Sequence, residues 1–355
     1  DAKDWTLPPF ELIEKDGGFF GRGVADDKDE AAIYVANLIR MKQEGYVPRR
    51  SIVVALTTDE EGGDFNGVRY LLDKHPQLLE AAFVFNEGGG GQLDETGRRM
   101  ANTVQAAEKK FQNYTIVATN AGGHSSRPRP DNAIVELGKA LQGITPTLLP
   151  VKLNAVTTEY LKRSADGRGG ETGKAMAALA ANPADAAALK VLEQDPALNA
   201  MIRSACVPTM IKGGHAQNAL PQRAEATVNC RLVPDEDAKA VLGLITQATA
   251  GAKVTVTIDE ERAASPASPI DGAVLATIDR VTQQMWKGVP VIPTMSTGAT
   301  DSSPFREKGV PAYGVSGLFY GPESGAHGMN ERVPVQSFYE GQEFLYRLAK
   351  EATVE

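Results

Sequence analysis

Cysteine is scarce in this chain. Cys206 and Cys230 are the two present, with no CxxC and no Cys/His zinc spacing, which excludes a disulfide framework but leaves the redox compartment open. No apolar run approaches the roughly 18 residues that a bilayer span requires, so a soluble protein is expected, cytoplasmic or periplasmic, with no membrane partner. Basic charge is short as well: 37 Lys and Arg stand against 45 Asp and Glu, a net charge of -8. That balance opposes nucleic-acid binding, which usually leaves a basic face. The opening DAKDWTLPPF carries no initiator Met, no basic stretch and no apolar stretch of a leader. It runs from a Trp- and Pro-bearing loop straight into DGGFFGRG, and reads as though it opens inside a fold.

What remains is ordinary globular composition, 42% apolar and 23% charged over 355 residues, enough for two or three domains. A helix is expected over 31–44, stopped by Gly45, and another over 67–74. The apolar runs SIVVALTT (51–58) and AAFVFNEG (81–88) have the pattern of strands buried on both faces. Strand, helix and strand joined by short links predict an α/β domain with a mainly parallel sheet flanked by helices. After about Lys110 the pattern changes to alternation, over 111–120, 223–232 and 254–259, the habit of an antiparallel sheet with one half-covered face. Helices are expected over 131–142 and 235–249, and an Ala- and Gly-rich excursion over 162–199. The buried pattern then returns with a helix over 271–285, VPVIPT, VPAYGV and a last helix over 335–351. The boundaries that follow are an α/β domain of residues 1–109 and 261–355, interrupted by an α+β domain of residues 110–260 with a helical insertion near 159–201.

Carboxylates sit where strands should end: Asp26 in GRGVADDK, Glu60 and Glu61 in TTDEEGG, and Glu87 in NEGGGG. In open α/β sheets functional groups gather beyond the carboxyl ends of strands. His327, in SGAHGMNERV, could join them, and oxygen with imidazole ligands suits zinc, cobalt or manganese. Adjacent side chains on extended backbone point to opposite sides, so one of Glu60 and Glu61 can ligate while the other acts as a base. Read alone, DEEGG is equally a solvated acidic turn, and Gly88–Gly91 a flexible one. Of the other histidines, His75 reads as a helix-end residue before Pro76. His124 in NAGGHSSRPRP and His215 in KGGHAQNALP sit in glycine-flanked loops. Arg231 ends an alternating strand with Glu225, Thr227 and Asn229 on its face, placed either for a carboxylate clamp or for a salt bridge.

GRGVADDK, TTDEEGG, NEGGGG, GGHSSRP and SGAHGMNE, in that order, resemble the M20 metallopeptidase family of aminoacylase-, carboxypeptidase- and desuccinylase-type enzymes. The resemblance covers nearly the whole chain. It implies a catalytic domain with an inserted lid and dimerisation domain, and two zinc ions per subunit, with Co2+ or Mn2+ as possible substitutes. Asp26 would bridge the ions, with a cis Asp26–Asp27 peptide. Glu61 and His327 would complete one site and Glu87 would serve the other. Glu60 would be the general base for a metal-bridging hydroxide. His124 would reach across a homodimer to stabilise the oxyanion, and Asn218 and Arg231 would hold the substrate. The implied substrate is a dipeptide or N-acyl amino acid with a free carboxylate. Two features depart from the family pattern. The HxD segment expected before DWT is not in this sequence, which leaves the second site without an imidazole and so weak, and implies a segment upstream of Asp1. Asp29 also stands where glycine is usual. Two rival readings accompany the hydrolase: a non-catalytic, metal-depleted dimeric scaffold that binds a ligand, and removal of a carbamoyl or succinyl group on the same fold.

Overall fold

A computed structural model describes residues 2–62, 65–145, 147–321 and 324–354; Asp1 and Glu355, the ends of the expected domains, and Gly63, the last residue of TTDEEGG, lie outside them. The first stretch holds β1 (Ile13–Lys15), β2 (Gly18–Phe20), α1 (Lys28–Gln43), α2 (Gly67–Lys74), β3 (Val84–Asn86), β4 (Gly91–Leu93) and β5 (Arg99–Glu108). Next come β6 (Lys110–Thr119), β7 (Gly123–His124), α3 (Ala133–Gln142), α4 (Ala155–Arg168), α5 (Gly170–Ala181), α6 (Ala186–Leu192) and α7 (Pro196–Ile202). They are followed by β8 (Ala205–Gly213), β9 (Ala219–Leu220), β10 (Arg223–Leu232), α8 (Ala238–Ala248) and β11 (Val254–Ile258). The last stretch holds α9 (Ala273–Met285), β12 (Val291–Ser296), α10 (Ser302–Glu307), β13 (Ala312–Gly314), β14 (Phe319–Tyr320), β15 (Arg332–Pro334) and α11 (Val335–Ala352). Two compact units result: residues 1–107, 267–294 and 300–355, and residues 108–266 and 295–299.

The first unit is built on a mixed sheet. Pairs β3/β13 and β4/β14 are parallel, while β5 runs antiparallel to β4 and β13. Strand β5 is buried from Ala101 onward because it lies inside this sheet. On α11, Phe344 stacks with Trp286, which meets Phe319 of β14 edge to face at 4.7 Å. Helix α1 ends where Gly45 takes a left-handed φ of 68°, the stop expected of that glycine. One expected strand is missing. The structure assigns no strand to residues 51–58, and Val53 and Leu56 are 58% and 61% exposed. Among the described residues no strand is hydrogen-bonded beside the apolar run, and without a partner apolar character alone does not make a ladder.

In the second unit the antiparallel order is β11-β6-β10-β8. Strand β10 alternates buried and half-buried residues along its length. The buried set (Ala224, Ala226, Val228, Cys230 and Leu232) packs with Leu137 of α3 and Val241 and Ile245 of α8. The single helical excursion expected after the sheet is four helices with a core of their own, among them Leu161, Met176, Leu179 and Leu198. Gly169 and Gly170, at φ 61° and 58°, break α4 from α5 by adopting a backbone that other residues avoid. Asp185 and Asp195 cap α6 and α7 with their side chains. Cys206 and Cys230 face each other across β8 and β10 and form a disulfide, one bridge rather than a framework. Among the described residues no helix is long and apolar enough to cross a membrane.

Candidate metal centre

Three sequence-predicted ligands converge in the first unit. His327 Nε2 lies 2.6 Å from Asp26 Oδ2 and 3.1 Å from Glu61 Oε1, and one donor atom from each residue falls within 4.8 Å of the others. His327 has a left-handed φ of 59°, uncommon in a non-glycine residue. The two carboxylates, Glu61 foremost, hold its imidazole pKa above the usual range.

Asp26 follows a loop that the His327 segment itself organises. Glu331, fully buried, accepts the backbone N–H groups of Gly23 at 2.8 Å and Ala25 at 2.9 Å, and pairs with Arg22 Nη1 at 2.7 Å. The Arg22 guanidinium lies over Trp5, and Asn330 accepts hydrogen bonds from Thr6. The DWT segment is thereby tied to the same place. The Asp26–Asp27 peptide is cis, as the resemblance implied.

Glu60 stays outside the triad. Its charge instead acts on Glu87, which burial, Glu60, Asp27 and Asp26 push up to about 9. Burial and the neighbouring Asp29 and Asp26 likewise raise Asp27 to about 8. So many crowded carboxyls cannot all ionise without a cation. The donor set of two carboxylates and an imidazole, with further carboxyls beside it, fits a zinc-type divalent ion.

A cavity of about 600 Å³ opens here, lined by Asp26, Asp27, Glu30, Glu87, Tyr320 and the wall Gly88–Gly91. That wall is tightly packed rather than a flexible turn. A Cβ on Gly89 would sit 2.2 Å from the Gly314 carbonyl oxygen, and one on Gly91 would sit 2.2 Å from the Phe319 ring.

His124, Asn218 and Arg231 belong to the second unit. Strand β7 pairs His124 with Ala219 of β9, which brings Asn218 Nδ2 to 3.5 Å from His124 Nε2, while Ser126 Oγ lies 2.8 Å from Nδ1. Arg231, at the end of β10, is half-buried with its guanidinium 5.8 Å from the Phe111 ring centre. Among the described residues it has no salt-bridge partner, whereas Glu225 on the same face pairs with Arg223. His75 caps the end of α2 against Tyr70, and His215 is exposed in a loop. Sequence reasoning missed Glu331 and Tyr320 and saw in Asp29 no more than added charge. For Glu331 a signal existed, its place at the end of SGAHGMNE.

Residues 1–351 match the profile of Peptidase family M20/M25/M40. The human N-fatty-acyl-amino acid synthase/hydrolase PM20D1 is 28% identical over 98% of this chain and 70% of its own. Human aminoacylase-1 is 25% identical over 97% of this chain and 74% of its own. Among solved structures, the M20 family metallo-carboxypeptidase Sso-CP2 from Sulfolobus solfataricus superposes with a TM-score of 0.67 at 17% identity, covering 100% of this chain and 82% of that one. The dipeptidase Dug1p from Saccharomyces cerevisiae gives 0.66 at 14% identity, covering 100% and 78%. Both structures share the mixed α/β fold.

Proposed function

This chain belongs to peptidase family M20/M25/M40 and is a hydrolase, and from that premise we propose that it cleaves the amide bond of dipeptides or N-acyl amino acids bearing a free carboxylate. The observation that carries the reading is the Asp26–Glu61–His327 cluster with Glu60 and Glu87 beside it. The names of the human relatives, an aminoacylase and an N-fatty-acyl-amino acid synthase/hydrolase, support the N-acyl amino acid class.

Asp26, Glu61 and His327 would hold one divalent ion, zinc by their donor set, and Asp26 with Glu87 would offer oxygen ligands to a second. When bound, such ions polarise the scissile carbonyl and make water acidic enough to attack at neutral pH. Glu60 accepts the proton of the attacking water and returns it to the departing amine nitrogen. His124, whose Nδ1 accepts the Ser126 N–H, reaches across a homodimer and donates from Nε2 to the carbonyl oxygen as negative charge builds there, while Asn218 helps to hold the substrate. Arg231, whose guanidinium has no carboxylate partner among the described residues, takes the substrate carboxylate through two hydrogen bonds.

Elemental analysis of protein purified without chelator should find at least one zinc per chain. A panel of dipeptides and N-acyl amino acids should be hydrolysed, with activity lost on chelation and restored by zinc, cobalt or manganese. Protein that binds none of these metals and releases no amine would refute the reading.

The second unit also supplies a surface for a homodimer. Strand β8 is an edge of its sheet and exposes Val207, Met210 and Ile211 at 50%, 56% and 65%. Exposed apolar edges of this kind are usually covered. Light scattering should return twice the chain mass, and Ile211→Glu should return the monomer; a parent protein that is monomeric at micromolar concentration removes the dimer.

A further inference from the structure

The loop carrying Asp26 is held at two points, and Glu331 accounts for one of them. Its carboxylate fixes residues 23 and 25 from one side. On the other side, Asp29 lies in the first turn of α1, three residues beyond Asp26, and is 4% exposed. Its Oδ1 accepts the Glu30 N–H at 2.9 Å, and its Oδ2 accepts the Tyr320 hydroxyl at 2.6 Å. Tyr320 is well placed to anchor something else. Strand β14 pairs with β4 through Phe319 and Tyr320, and the Phe319 N–H donates to Ser337 of α11. The tyrosine backbone is therefore fixed by a sheet and a helix before its side chain reaches Asp29.

We propose that Tyr320 and Asp29 are a positioning pair, whose hydrogen bond locks the start of α1 so that Asp26 points into the metal centre. The inference rests on the metal-binding reading above and adds two residues that coordinate nothing themselves. If α1 were free to pivot about the Glu331 anchor, the Asp26 carboxylate would swing relative to His327, 2.6 Å away. Partners that orient a ligand in this way are typically worth about 10- to 100-fold in metal affinity.

The test is zinc affinity of the whole chain, by competition with a chromophoric chelator, together with the visible absorption spectrum of the cobalt-loaded protein. Tyr320→Phe removes one hydroxyl and little volume. It should weaken zinc by about 10- to 100-fold and shift the cobalt bands while the melting curve keeps its shape. Asp29→Ala, which leaves the Tyr320 hydroxyl no acceptor there, should weaken zinc as well, and serves in its place if Tyr320→Phe does not fold. The double variant should bind no more weakly than the weaker single, because both remove the same bond. A Tyr320→Phe protein within about twofold of the parent, with an unchanged cobalt spectrum, would overturn the pair. A parent that binds neither metal overturns the metal centre itself, and this inference with it.

Discussion

Glu60→Gln is expected to slow hydrolysis by about 10²- to 10⁴-fold, the usual contribution of a positioned acid–base group. The amide keeps the shape of the carboxylate and loses its ability to take a proton. Asp26, Glu61 and His327 remain, so the metal content should match that of the parent. The fall should appear in kcat more than in KM, since a base acts on the transition state and does little for substrate binding. One side effect has a definite sign. Glu60 is among the charges that push Glu87 up to about 9, so its removal lets Glu87 ionise at lower pH and cannot starve that position of a ligand. Steady-state rates with metal analysis on one preparation check both halves. A variant that retains more than a tenth of the activity would move the base elsewhere.

Glu331→Ala should be the most damaging change to the stability of the first unit, at about 2–5 kcal/mol for two unpaired amide groups. The side chain is fully buried, and its loss strands the N–H groups of Gly23 and Ala25 and removes the carboxylate partner of the Arg22 guanidinium. Glu331→Gln should cost less, because the amide oxygen still accepts one of the two N–H groups, although its NH2 cannot accept the other. Urea unfolding of metal-free protein reads this without interference from ligation. A loss below about 1 kcal/mol for the alanine variant would mean that the loop holds itself.

The second unit was the more legible from sequence, for a physical reason. Strand β10 has helices α3 and α8 on one face, so its side chains record burial with a period of two, and residues 223–232 could be read to their ends. Helix 67–74 was equally plain. The run 51–58 was misread because apolar composition reports a wish to be buried and says nothing about a neighbouring strand. In the site, residues that ligate came in compact segments whose chemistry is local. Glu331, Tyr320 and Asp29 were invisible in their roles because those roles are hydrogen bonds spanning about three hundred residues, 308 from Gly23 to Glu331 and 291 from Asp29 to Tyr320. Pattern along a chain cannot show which distant acceptor a loop amide will find.

The Cys206–Cys230 bridge joins the outermost strand of its sheet to the strand inside it, between residues directly opposite in the ladder. An unpinned edge strand can slide by two residues and keep the same face inward, or peel away and offer its backbone to another chain. The bridge forbids both movements, since sliding would have to break a covalent bond. Val207, Met210 and Ile211 are therefore displayed in one alignment that a covalent bond holds in addition to the ladder.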